Sequence, residues 1–228
     1  EELGNLHNPE FSMLEWYSQG EDYHACMDET EELIRRIGSE FKKKLPEFRR
    51  KRVRDLFLEH VGIDLNDSDA GLLKRACEEN SIHFSNNDSE SDLFYRLFLK
   101  LIEPNLGDDP VFVYDYPKYQ AALAQLTDDK IYGQRFELYI NGIELCNGFT
   151  ELTDSAEQRA RFEKEASKRR EQNKTIFPID EELLKLLPSI HNPTYGNALG
   201  IDRLHMVLLG KSSIEEVILF PAKNLFNN

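Results

Sequence analysis

The stretch from Gln134 to Glu151, QRFELYINGIELCNGFTE, holds two apolar runs, 134–140 and 143–149, joined by Asn141-Gly142. A two-residue type I′ turn needs positive φ at both central positions, which Asn and Gly tolerate best, so the stretch reads as a β-hairpin. Glu137 and Glu144 stand on opposite arms and are expected to face each other. Like charges across a hairpin repel, so such a pair calls for a cation. Mg2+, held by one or two carboxylates together with substrate phosphates, answers that need. A solvated sheet face that happens to carry two glutamates fits the same pattern equally well.

On either side of the hairpin, strands alternate with helices. Upstream, LHNPEFSMLEWY (6–17) reads as a strand bent near Pro9, and VFVY (111–114) as a short buried one. Helical spacing of apolar residues covers 22–41, 53–60, 70–79 and 92–102, the last closed by Pro104. Downstream, Thr153 or Asp154 can cap a long charged helix reaching about Gln172, followed by a short helix over 181–187. A Gly-punctuated strand (195–200), a helix (201–209) and a last strand (217–220) complete the chain. No internal repeat is present. The expectation is an α+β fold: one domain over 1–228, built on an antiparallel sheet flanked by helices, with a helical insertion at about 42–104.

Composition sets limits on function. The chain has 228 residues, 28 Lys plus Arg against 42 Asp plus Glu, and a net charge of −14. Broad nonspecific binding to nucleic acid needs a field of cations, which this balance opposes. No apolar run approaches the ~20 residues that span a bilayer. Three cysteines, Cys26, Cys77 and Cys146, show no metal-ligand spacing, and such a sparse, odd set fits a reducing, cytoplasmic compartment.

Three further stretches carry more reactive side chains than a scaffold needs. Along a strand, odd-numbered residues share a face, so His7, Phe11, Glu15 and Tyr17 can all point into one cleft. Pattern alone favours a half-buried strand whose aromatics belong to the core. In GNALGIDRL (196–204), glycines permit close approach of a ligand to the backbone, and Arg203 falls in the first turn of the next helix. The helix dipole favours anions there, so an Arg at that place suits a bound phosphate; a surface Arg paired with an acid is the competing reading. Finally, KKKLPEFRRKRVR (42–54) has eight basic residues in thirteen. It reads as a solvated basic loop and helix start, or as a docking patch for an acidic macromolecule.

Taken together, HNPEFSMLEWY, GIELCNGFTELTDSAEQRARFE and NALGIDRLHMVLLG, in that order, resemble motif 2, the lysine-site hairpin and motif 3 of class II aminoacyl-tRNA synthetases of the lysyl branch. The resemblance runs over essentially the whole chain. Within the branch, MLEWY in place of MMELY, and Ala198 where lysyl-tRNA synthetases usually carry Gly, bring the chain nearer to the paralogues that attach (R)-β-lysine to elongation factor P. The resemblance implies ATP and Mg2+ as cofactors and lysine or (R)-β-lysine as substrate. It implies elongation factor P as acceptor, tRNA less so, and a homodimer whose motif 1 lies outside this sequence. It places adenine against Phe11, the triphosphate near His7, Glu1 and Arg203, and Mg2+ on Glu137 and Glu144. Glu15, Tyr17 and Glu151 would hold the substrate ε-ammonium, Asn147 its carboxylate, and Ala198 would shape the pocket toward β-lysine. Arg203 and Glu144 would carry the catalytic charge work.

The sequence begins Glu1-Glu2-Leu3-Gly4, without Met or a secretory signal. The family's motif 2 Arg, which grips the α-phosphate, stands two residues before the Glu that aligns with Glu1. The chain is therefore expected to be the C-terminal part of a catalytic domain, and to show little activity alone. A lysyl-tRNA synthetase fragment that acylates tRNA, and a non-catalytic remnant that binds ATP or an amino acid, are the alternatives.

Overall fold

Asn141 and Gly142 both adopt positive φ, 53° and 68°, and turn β4 (Tyr132–Ile140) into β5 (Ile143–Thr150). The fold was obtained as a computed structural model that describes residues 3–226. Around this hairpin lies one six-stranded sheet in the order β1-β6-β5-β4-β3-β2. Its other strands are β1 (Met13–Gln19), β2 (Arg49–Arg52), β3 (Val111–Pro117) and β6 (Thr194–Gly200). All neighbours are antiparallel except β2 and β3, which run parallel. The architecture is α+β, one six-stranded, mostly antiparallel sheet flanked by helices.

The two faces of the sheet are covered unequally. On one, α1 (Tyr23–Glu40) and α7 (Ile201–Leu209) pack Met27, Ile34 and Leu204 onto Phe112, Phe136, Leu138 and Leu199. Glu29 of α1 accepts from Trp16 Nε1 and from the Tyr195 hydroxyl, both at 2.8 Å, which ties β1 and β6 to that helix. On the other face, α2 (Val53–His60), α3 (Ala70–Glu79) and α4 (Glu90–Leu97) pack around Phe57, Phe94 and Phe98. In the core these helices pack against sheet residues of β3 and β4, among them Val111, Val113, Tyr116 and Tyr139. On β1, β5 and β6 the same face is left open, because its residues there are polar or small: Glu15, Tyr17, Glu144, Asn147 and Ala198. The cleft is thus a consequence of where apolar surface stops.

Long elements agree with the helical and strand patterns. Asp154 caps α5 (Ser155–Glu171) through the N–H groups of Ala156 and Glu157. Three expectations are corrected. β1 begins only at Met13: His7 lies in a turn bridged to Gly4 and Phe11 in an exposed segment, since Pro9 lacks a donor and Asn8 uses its amide on the Glu10 carbonyl. The basic stretch holds an edge strand, β2, rather than loop alone. Residues 217–220 form no strand: the N–H groups of Val217 and Ile218 return to the Ile214 carbonyl, and Leu219 and Phe220 are exposed.

Candidate active site

Register places the cleft residues on lines across the sheet. Glu15 is opposite Ala198, Ala198 opposite Asn147, and Asn147 opposite Glu137. Directly opposed residues of antiparallel strands project to one face. One residue pair further along, Tyr17, Gly196, Phe149 and Arg135 form a second line. Glu151, just past β5, stands beside it: a Cβ built on Gly196 would meet Tyr17 Cε1 at 2.7 Å and Glu151 Oε1 at 2.8 Å. Glycine is therefore the floor on which these two side chains converge.

A cavity of about 430 Å³ at the end of the first line is lined by His7, Phe11, Glu144, Asn147, Ala198 and Arg203, among others. Arg203, at the third position of α7, reaches across it. Its Nη1 donates to the Glu144 carbonyl at 2.9 Å and lies 4.0 Å from the Glu144 carboxylate; its Nη2 meets His7 Nε2 at 3.0 Å. Asp202 accepts from the Ser12 N–H at 2.7 Å and so ties the segment before β1 to the start of α7. Phe11 is half exposed at 51%, an aromatic face open at the cavity rim. Glu15, Tyr17 and Glu151 lie beyond the cavity lining, on the same sheet face. Glu1 lies outside the described residues.

Electrostatics divide the cleft in two. Burial pushes the Glu151 carboxyl up to about 7. The Tyr17 phenol is raised by partial burial, then by Glu151 and Glu15. Among the described residues these carboxyls have no cationic partner, an arrangement that suits an ammonium group. At the other end, Glu144 is raised by burial and by Glu137, against the opposing effect of Arg203. Glu103, in the turn after α4, is raised by burial and by Glu137, again against Arg203. No sequence pattern had pointed to it, because only the fold brings that turn to the hairpin.

The hairpin glutamates are placed differently from the expectation. They are not cross-strand partners: Glu137 opposes Asn147, and after an irregularity in the ladder Glu144 opposes Tyr139. Glu137 is buried and accepts from Arg135 Nη2 at 2.6 Å, the Tyr116 hydroxyl at 2.5 Å and the Tyr139 hydroxyl at 2.7 Å. Its charge already has a partner, whereas Glu144 is the open carboxylate. Among the described residues no three His, Cys, Asp or Glu side chains converge as a metal cage. Mg2+ keeps several waters and takes one or two carboxylates with substrate phosphates, so Glu144, the open carboxylate lining the cavity, fits that ion.

The basic stretch is corrected as well. Arg50 pairs with Asp28, Lys51 with Glu59, Arg52 with Asp115 and Arg54 with Asp64, and Arg49 donates to the Leu106 carbonyl. These cations line an edge strand at the end of the sheet opposite β1, each engaged by a local acid or carbonyl while staying partly exposed.

Comparison with known proteins agrees with this architecture. The model of class II tRNA synthetases (D, K and N) matches residues 1–224. The chain belongs to that family, whose members are ATP-dependent amino-acid ligases. Among individual proteins, it is 41% identical over 227 residues to the elongation factor P–(R)-β-lysine ligase of Sodalis glossinidius. It is 39% identical over 227 residues to the protein of that name from Hamiltonella defensa and 40% to that from Yersinia enterocolitica. These alignments take in 97–98% of this chain and 68% of each relative. No helix of the described residues is long and apolar enough to cross a membrane.

Proposed function

We propose that this cleft serves the activation of (R)-β-lysine, or lysine, as an aminoacyl-adenylate with ATP, for transfer to a lysine side chain of elongation factor P. The observation that carries this reading is the line Glu15–Ala198–Asn147 with Glu151 beside it: a polar floor with carboxylates at one end and an amide near the phosphate end. Such a floor is complementary to an amino acid with a distant ammonium group. The names of the relatives support the choice of β-lysine and of elongation factor P, and the net charge of −14 opposes tRNA as acceptor.

In the proposed reaction the ε-ammonium sits between Glu15, Tyr17 and Glu151, where charge-assisted hydrogen bonds in a partly desolvated setting fix its position. The Asn147 amide holds the carboxylate. Phe11 offers its ring to adenine, and Arg203 and His7 meet the terminal phosphates. The substrate carboxylate oxygen attacks the α-phosphorus, the Pα–O bond to the β-phosphate breaks, and pyrophosphate leaves. The acceptor amine then attacks the adenylate carbonyl, losing a proton as AMP departs. Mg2+, held on Glu144 with Glu137 behind it, would neutralise phosphate charge. The protein supplies positioning and charge, with no covalent step of its own.

Calorimetric titration with L-lysine and (R)-β-lysine, for the wild type and Ala198→Gly, tests the reading. Wild type is expected to favour β-lysine and the variant to lose that preference. An unchanged preference removes Ala198 from the argument, and no binding of either amino acid overturns the reading. Transfer assays offering elongation factor P and tRNA side by side identify the acceptor.

A further inference from the structure

Arg135 has no part in the roles given above, yet it is nine-tenths buried at the centre of the sheet. Each of its three nitrogens is engaged. Nε donates to Asn147 Oδ1 at 3.1 Å, Nη1 to the Gln120 carbonyl at 2.8 Å, and Nη2 to Glu137 Oε1 at 2.6 Å. The guanidinium also lies over the Tyr116 ring, 4.6 Å from its centroid. Glu137 is in turn held by the Tyr116 and Tyr139 hydroxyls, so the guanidinium is fixed in plane and direction. A guanidinium has donors only. Asn147 must therefore turn its carbonyl oxygen to Arg135, and its NH2 group is left for the cleft; among the described residues that NH2 makes no hydrogen bond.

We infer that Arg135 is a positioning residue: by fixing the Asn147 amide with its NH2 toward the cleft, it sets the cleft's preference for a ligand that carries a carboxylate. The inference rests on the reading of the cleft as an amino-acid site. A carboxylate is an acceptor only, so the amide in this orientation complements it, and the reversed amide would set oxygen against oxygen. An unrestrained Asn samples both.

The test compares L-lysine with 1,5-diaminopentane, which keeps the distant ammonium and lacks the carboxylate, by calorimetry on the 228-residue chain. Arg135→Lys keeps the charge beside Glu137 but cannot hold three directions at once. Arg135→Met with Glu137→Gln removes both buried charges together and guards against a variant that fails to fold. In either folded variant the preference for lysine over the diamine is expected to fall roughly tenfold or more, the scale of a hydrogen bond to a charged group, while diamine affinity stays within about twofold. Adding Asn147→Ala to Arg135→Lys should cause no further loss, since both act through one amide. A preserved preference, or losses that add, overturns the inference. If wild type binds neither compound, the amino-acid reading itself falls.

Discussion

A methyl group on Gly196 would lie 2.8 Å from Glu151 Oε1, closer than any side chain permits. The backbone of Gly196 is not in the left-handed region, so alanine is excluded by its neighbours alone. Gly196→Ala should thus leave folding largely intact while driving Tyr17 and Glu151 apart. Overpacking of this kind costs about 1–3 kcal/mol, and the loss should fall on amino-acid binding, with ATP binding unchanged. Paired titrations with lysine and ATP check it; equal loss for both ligands would refute the assignment of this floor to the amino acid.

Glu151 makes a pH prediction with a definite sign. Its carboxyl is pushed from 4.5 to about 7 by burial, and only the ionised form pairs with an ammonium. Affinity for lysine should rise with pH up to about 7 and level off above, falling roughly tenfold per unit on the acid side. Glu151→Gln should bind more weakly and lose this slope. In the ligand-free chain the folded state holds this proton more tightly than the unfolded one. Its contribution to stability is therefore present at the acid end of the window and lost as pH rises through about 7. Thermal melts of wild type and variant between pH 5 and 8 read that difference.

Asp115 is buried at the bulge of β3, with positive φ, and accepts from Arg52 Nε at 2.8 Å and the Tyr23 hydroxyl at 2.6 Å. Removing Arg52 leaves a buried carboxylate with one neutral donor, a loss of roughly 3 kcal/mol. Lys44, exposed and among the described residues in no ion pair, should be replaceable by alanine within about 0.5 kcal/mol. Denaturant unfolding of Arg52→Ala and Lys44→Ala distinguishes structural cations from solvated ones. Equal stability of the two would show that the basic stretch is surface after all.

That contrast also explains what the sequence reveals and what it hides. The turn at Asn141-Gly142, the Asp154 cap and the limits of α2, α3 and α7 depend on neighbours within a few residues, and local pattern suffices for them. β2 is written RRKR, which no strand preference would select. It pairs because acids from α1, α2 and β3 are waiting beside it, a fact of tertiary structure. The apolar run 217–220 has strand character but spends its backbone donors in turns. The candidate site behaves likewise. Its residue types stand out as motifs, but the lines Glu15–Ala198–Asn147 and Tyr17–Gly196 exist only once register is set. Arg135 and Glu103 are silent until then, and Gly196 shows only as a glycine that lets a ligand approach.

The charge at the phosphate end gives a last expectation. Adenylation builds negative charge at the α-phosphorus and on the departing pyrophosphate, and enzymes of this chemistry meet it with preorganised cations. Among the described residues that line the cavity, the basic side chains are His7 and Arg203, and these touch each other at 3.0 Å. Both are assigned to the terminal phosphates, so among the described cavity residues none is left as a cation for the α-phosphate. We therefore expect the 228-residue chain to bind ATP and amino acid yet to catalyse little pyrophosphate exchange with lysine or (R)-β-lysine. Arg203→Gln should weaken ATP binding by roughly tenfold or more, the scale of a lost charge-assisted contact, and leave lysine binding in place. Robust exchange by the chain would mean that the residues described here already meet the α-phosphate charge, and would overturn the expectation.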